Sequence, residues 1–248
     1  LDDRTDVKSR KEPAGIGGLV GVLAEKNEDG SLAPQKSGSI QNLTMGGSVY
    51  GRLPKPEKAF GNGADQDLQT PQKQAAEYPY GIGGIFGYAE LGGNVKVENC
   101  QNRASVTGNL FTGGIGGNMK GSYSGAAQGA DIEGCYNDGL VLCDEKAGHQ
   151  DQELELEGRY FGGILGFGMQ TKILTSSSAS GRAVGYEYTA NDRRTLVGQY
   201  VGGILGYGDS CRLSGCSTQK DGYILGSDYV GGIAGGLANN IQDVITGA

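Results

Sequence analysis

The chain has no tryptophan, a single histidine and six prolines in 248 residues, and no stretch of 18 apolar residues occurs in it. Each shortage closes a class of reading. Without a long apolar run, no segment has the makings of a membrane-spanning helix. The lone histidine, His149, sits among acidic residues and has no partner motif for a catalytic triad; HExxH, GxSxG and P-loop signatures are missing as well. Positive charge is short too: 21 Lys and Arg against 28 Asp and Glu leave a net charge of −7. That balance offers no basic face to displace counterions from a nucleic acid. The cluster Lys8-Ser9-Arg10-Lys11 reads as a solvated lead-in. Cysteines number five, so at least one thiol is unpaired within the chain, and no CxxC pair exists to hold zinc.

What the chain has in excess is glycine, 48 residues, against an average usage of about 7%. The glycines follow no three-residue collagen period. They recur in a block, Gly-Gly-(Leu/Ile)-x-Gly, which begins at Gly17, Gly83, Gly113, Gly162, Gly202 and Gly231. Six copies are too many for one cofactor loop. They read as six rungs of a solenoid, in which each unit buries its apolar face only against its neighbours. The expected fold is therefore all-β, a right-handed parallel β-helix of about six rungs with loop insertions, forming a single domain over residues 1–248. The chain opens and closes so near its outermost blocks that it reads as a fragment of a longer protein.

Two further pieces follow the block. The first is apolar, polar, small, then often Cys: Ile40-Gln41-Asn42-Leu43, Val97-Glu98-Asn99-Cys100, Ile132-Glu133-Gly134-Cys135, Leu174-Thr175-Ser176-Ser177, Leu213-Ser214-Gly215-Cys216 and Ile241-Gln242-Asp243-Val244. The second is a short β-former run such as Ser48-Val49-Tyr50-Gly51 or Ser105-Val106-Thr107-Gly108. One rung thus reads as three short strands punctuated by turns. Block spacings of 66, 30, 49, 40 and 29 residues set the bare rung near the shortest value; the excess is insertion, near 53–78, 143–158 and 187–198. In register these loops share one side.

Alternation along each block predicts that Ile85, Ile115, Ile164, Ile204 and Ile233 face the core, and that the variable fourth residue (Phe86, Leu165, Leu205) faces outward. Glycine on the core side has two candidate causes, a positive φ or a lack of room for a Cβ. Cys100, Cys135, Ser177 and Cys216 share one position and are expected to be a buried ladder of small side chains, with free thiols. Phe111, Tyr160, Tyr200 and Tyr229 each stand two residues before a Gly-Gly; Tyr88, Phe167 and Tyr207 form a second register. Both are expected to be stacked ladders, a sugar-stacking platform being the alternative. The acidic run Asp144, Glu145, Asp151, Glu153, Glu155 and Glu157 reads as a solvated loop, with Ca2+ as the one cofactor that its carboxylates suggest. Asn27-Glu28-Asp29-Gly30 reads as a turn.

The block, the Asn/Gly-Cys piece and the Val-x-Gly strand together resemble the GLUG motif, most clearly in Val201-Gly202-Gly203-Ile204-Leu205-Gly206-Tyr207 with Leu213-Ser214-Gly215-Cys216. GLUG-like repeats occur in large secreted or wall-anchored bacterial proteins, adhesin-like surface proteins among them, and beside metallopeptidases whose zinc motif is absent here. The resemblance implies an extracellular, cell-surface setting, a structural or adhesive role without catalysis, and a surface glycan or protein as partner. Two rival expectations stand beside it. One is a polysaccharide-active β-helix enzyme, for which Asp192, Arg193 and Arg194 are the only candidate groups. The other is a self-associating fibre subunit.

Overall fold

The computed structural model describes residues 14–53, 79–122, 131–143, 158–174, 178–179, 183–184, 187–190, 193–196, 198–218, 223–239 and 245–246. Among these, every regular element is a strand and no helix occurs. Most strands belong to five parallel sheets, which the chain visits in a fixed order and then visits again. The first sheet holds Ala14–Gly17, Tyr80–Gly83, Leu110–Gly113, Arg159–Gly162, Gln199–Gly202 and Asp228–Gly231. The second holds Val20–Leu23, Phe86–Glu90, Gly116–Lys120, Leu165–Met169, Leu205–Asp209 and Ala234–Ala238. The third holds Ile40–Gln41, Val97–Glu98, Ile132–Glu133, Lys172–Leu174, Arg212–Ser214 and Ile245–Thr246. The fourth runs through Thr44–Met45, Gln101–Asn102, Tyr136–Asn137, Ser178–Ala179 and Ser217–Thr218, and the fifth through Ser48–Tyr50, Ser105–Gly108, Val141–Cys143 and Ala183–Val184.

In every sheet the strand order is the chain order, so each pass of the chain pairs with the pass before it and the pass after it. The first glycines of all six blocks lie in one column: Gly17 pairs with Gly83, Gly83 with Gly113, Gly113 with Gly162, Gly162 with Gly202 and Gly202 with Gly231. A full pass uses five short strands, not the three expected from sequence. The reason is that two-residue strands such as Gln101–Asn102 are too short to show any alternation.

The glycine block is not a strand either. A strand of the first sheet ends on the first glycine, the next two residues bend, and a strand of the second sheet begins at the variable residue. The bend lets the two sheets meet backbone to backbone. A Cβ on Gly83 would lie 2.1 Å from the Phe86 carbonyl oxygen, and one on Gly162 would lie 1.9 Å from that of Leu165. On the third glycine of a block, Gly117, it would lie 2.1 Å from the Ile82 nitrogen of the previous pass. None of these glycines has a positive φ. Of the two causes left open by the sequence, the steric one holds. Positive φ operates elsewhere, at the corner after the third sheet, where Asn42, Asn99, Gly134 and Gly215 have φ of 56°, 53°, 65° and 62°. Asn and Gly are the residues that tolerate this region best.

The bend also overturns the inside-outside assignment. Phe86, Leu165 and Leu205 are fully buried in the same apolar cluster as Ile85, Ile115, Ile164 and Ile204. They lie beside Val97, Ile132, Ile173 and Leu213 of the third sheet. Phe86 reaches into the next pass and occupies the space where a side chain at Gly116 would stand. Each such residue contributes about 1.5–3 kcal/mol by leaving water. A second cluster joins Val49, Ala104 and Val106 of the fifth strand set and its flank to Ile82, Phe111, Tyr160, Phe167 and Tyr207.

Two sequence alignments shift. Ile132 pairs with Ile173, not Leu174, because the corner before Ser178 is one residue longer than that before Tyr136. Leu213 pairs with Ile245, while Ile241–Val244 lies outside the described residues. All three long insertions leave after the fifth sheet and return at the first. Residues 54–78 and 144–157 lie outside the described set. Within 187–198 the chain forms an antiparallel hairpin of Glu187–Ala190 with Arg193–Leu196. Asn109 closes the root of the first insertion: its side chain accepts from the Leu53 N–H and donates to the Leu53 carbonyl, both at 2.8 Å. A further hairpin, missed in the sequence, pairs Glu25–Lys26 with Leu32–Ala33, with Asn27-Glu28-Asp29-Gly30 as its tip.

Candidate functional site

The residues singled out by their spacing lie in columns that run from pass to pass. Phe111, Tyr160, Tyr200 and Tyr229 stack in sequence, with centroid separations of 5.1, 5.3 and 4.5 Å and interplanar angles of 6°, 20° and 4°. All four have positive φ, between 45° and 64°. Bulky residues seldom adopt that conformation, which costs of order 1–3 kcal/mol each. The strain aims the ring along the stack, and each contact returns roughly 0.5–1.5 kcal/mol beyond burial. In the first two passes the same position is Gly15 and Gly81. The alternative of a sugar platform needs exposed rings. Phe111 and Tyr160 are buried, Tyr200 is half-buried, and Tyr229 at the end of the column is 61% exposed.

A second column runs Val22, Tyr88, Asn118, Phe167, Tyr207 and Gly236. Phe167 and Tyr207 stack at 5.5 Å, and they meet the first column edge to face: Phe167 on Tyr160 at 87°, Tyr207 on Tyr200 at 90°. Asn118 interrupts the run, so Tyr88 stands apart from Phe167. Burial pushes the phenols of Tyr88, Tyr160 and Tyr200 up.

Cys100, Cys135 and Cys216 occupy one interior row, with Leu43 in the first pass; Ser177 lies outside the described residues. Each thiol, with its single S–H, lies within reach of two carbonyl acceptors, one in the preceding pass and one two residues back. Cys135 reaches Val97 and Glu133 at 3.5 Å, and Cys216 reaches Ile173 and Ser214 at 3.7 Å. Cys143 and Cys211 are also buried, and none of the five cysteines is in a disulfide. Burial pushes Cys211 up to about 12 and Cys216 up to about 11; Cys135 is raised by the Cys100 thiol beside it and by burial. Cys135, Cys211 and Cys216, held protonated in an apolar interior, are neither nucleophiles nor metal ligands at neutral pH, while Cys100 is lowered by the hydrogen bond with the Cys135 thiol. No group of His, Cys, Asp and Glu suited to a metal occurs among the described residues.

Two polar features escaped the sequence reading. Asn102 and Asn137 are wholly buried and stacked: the Asn102 amide donates to Asn137 Oδ1 at 2.8 Å, and each side chain bonds the backbone two residues on, at Ala104 and Gly139. Every polar atom of the pair thereby finds a partner, the condition for tolerating amides in a core. The signal was present, an Asn two residues after Cys100 and again after Cys135. The other feature is Asp131, 4% exposed, whose Oδ2 accepts from the Lys172 N–H at 2.7 Å. Burial pushes its carboxyl up to about 6 against this and the Ser122 amide, which lower it.

Outer charges pair more loosely. Lys120 meets Glu90 at 2.7 Å, while Lys96 bridges Glu98 and Glu133 near the surface, a contact of small worth. Arg193 and Arg194 lie on the second hairpin; Asp192 and the acidic residues 144–157 lie outside the described set. No family model, curated protein or solved structure matches the chain.

Proposed function

We propose that the five sheets are the walls of one right-handed parallel β-helix, and that it is a non-catalytic structural or adhesive segment of a bacterial extracellular surface protein. The observation that carries this reading is where the repeated residues spend their chemistry. Glycines, rings, thiols and amides recur in columns whose contacts run from each pass to the next. Such residues hold a stack together, and a stack is a rigid spacer with loops on its flanks. The insertions at the corner between the fifth and first sheets are the segments left to meet a partner, a glycan or protein of a host or bacterial surface.

The test is a binding screen of the immobilised chain against matrix proteins, mucin and bacterial surfaces, with and without residues 54–78. The reading expects binding that falls on deletion, and no new reducing or unsaturated ends when the chain is incubated with a glycan panel. Turnover of any glycan would replace it with the enzymatic reading.

A further inference from the structure

We propose that Cys100 and Cys135 are a site of oxidative cross-linking, at which a two-electron oxidant, a peroxide or a small disulfide, joins the second and third passes through a Cys100–Cys135 bond. The inference needs only the register of these two passes and stands apart from the adhesive reading.

The register sets the pair. Val97 and Glu98 lie opposite Ile132 and Glu133, and Gln101 and Asn102 lie opposite Tyr136 and Asn137. The stretches between are equally long, so Cys100 and Cys135 stand level on adjacent passes. The Tyr136 N–H donates to the Cys100 carbonyl at 2.8 Å. Neighbouring strands run about 4.8 Å apart, within the Cα separation that a disulfide spans.

The sulfurs meet as well. Each thiol of the row leans toward the pass before its own: Cys100 toward the Ile40 carbonyl at 3.7 Å, Cys135 toward that of Val97 at 3.5 Å and Cys216 toward that of Ile173 at 3.7 Å. What each one meets there differs. The pass before Cys100 places Leu43 in the row, and the pass before Cys216 contains no cysteine. Cys135 alone leans onto another thiol, that of Cys100, with which it shares a hydrogen bond. The other two cysteines have no such neighbour: Cys143 stands opposite Gly108, and Cys211 stands level with Thr171.

The shared hydrogen bond also divides the roles. It draws the Cys100 thiol below its usual value and pushes that of Cys135 up. Cys100 is therefore the sulfur that supplies thiolate, and it follows Asn99, an exposed corner residue. With a peroxide, the Cys100 thiolate breaks the O–O bond, becomes a sulfenic acid and releases hydroxide, which takes up the proton that Cys100 gave up. Cys135, protonated at rest, then condenses with the sulfur it already touches. The S–S bond forms, the S–OH bond breaks, and water leaves with the Cys135 proton. Two thiols lose two electrons and two protons, and one peroxide becomes two waters. With a small disulfide, the same two sulfurs are joined by successive exchange and two small thiols are released.

The test has two arms. In one, the folded, reduced chain is treated with hydrogen peroxide. In the other, the reduced chain is refolded from urea in a glutathione redox buffer, where both sulfurs are accessible before the passes close. Each product is alkylated in denaturant without reductant, its thiols are counted, and its peptides are mapped by mass spectrometry. The five thiols of the reduced chain are expected to fall to three, with the Cys100 and Cys135 peptides linked, and dithiothreitol is expected to restore all five. Under peroxide, Cys135→Ser, or Cys135→Ala if circular dichroism shows that the serine disturbs the fold, is expected to leave Cys100 as a sulfenic acid that dimedone traps. Cys216→Ser is expected to cross-link as the wild type does. The Cys100–Cys135 link in either arm supports the proposal. Five thiols remaining in both arms, or Cys100 joined to any other cysteine, would overturn it.

Discussion

Asp131 shows how little a single residue reveals of its setting before the chain folds. In the register of the third sheet it stands level with Lys96 and Lys172, so the sequence position reads as a charged, exposed site. In the structure it is buried beside Gly121 and the Lys172 amide, and its carboxyl is raised from 3.8 to about 6. A raised carboxyl means that the folded chain holds the proton more tightly than the unfolded one. Below pH ~4 both states are neutral and the group is silent. Between there and pH ~6 the unfolded chain ionises first, so stability falls as pH rises, by about 3 kcal/mol when the loss is complete. Asp131→Asn removes this term. The variant is expected to match the wild type in urea unfolding at the acid end and to exceed it near neutrality; equal stability at both ends would show that the carboxyl is solvated. Asn102 and Asn137 left a mark that went unread, since both follow a cysteine at the same interval, and stacked passes bring two such amides within hydrogen-bond reach of each other.

At the scale of an element, the glycine corner and the aromatic column make opposite demands. The corner excludes side chains. Gly114→Ala would drive a Cβ to 2.2 Å from the Gly163 oxygen and 2.3 Å from the Asn137 amide carbon, and is expected to cost more than about 4 kcal/mol in thermal or urea unfolding. Gly46, with no described atom within 4 Å, is the control: Gly46→Ala is expected to change stability by less than about 1 kcal/mol. The column instead demands a large ring in a strained backbone. Tyr160→Ala removes a ring stacked on both sides and is expected to cost about 3–5 kcal/mol. Because the chain has no tryptophan, the near-ultraviolet dichroism reports its tyrosines directly, and that signal is expected to fall with the ring. The repeat of the corner was plain in the sequence, but its bend was not. Gly-Gly-Ile-x-Gly fits period-two alternation as well as any strand does, and only the backbone contact between two sheets tells them apart. The aromatic register was plain because a ladder must recur at one offset, whereas the positive φ beneath it leaves no mark: Gly15 and Gly81, which hold the position in the first two passes, have no positive φ and are glycine because a Cβ would strike the backbone of Gly21 and Gly87.

For the whole molecule, five buried cysteines outside any disulfide supply a direct report on integrity. A thiol-specific reagent is expected to label none of them while the chain is folded and all five after denaturation; fast labelling of one in the native chain would locate an opening near it. The number of passes, and which intervals carry long insertions, could be read from block spacing, since spacing counts residues and needs no geometry. Five strands per pass could not, since three of the five sheets are built from runs of two to four residues. The two kinds of corner differ in what they permit. Between the first and second sheets the chain always crosses in two residues, sealed by backbone contact, while between the fifth and first it crosses in anything from one residue at Asn109 to the long stretch that begins after Leu53. Foreign peptides grafted into that second junction would ride on the scaffold as cargo, displayed at intervals set by the spacing of its turns.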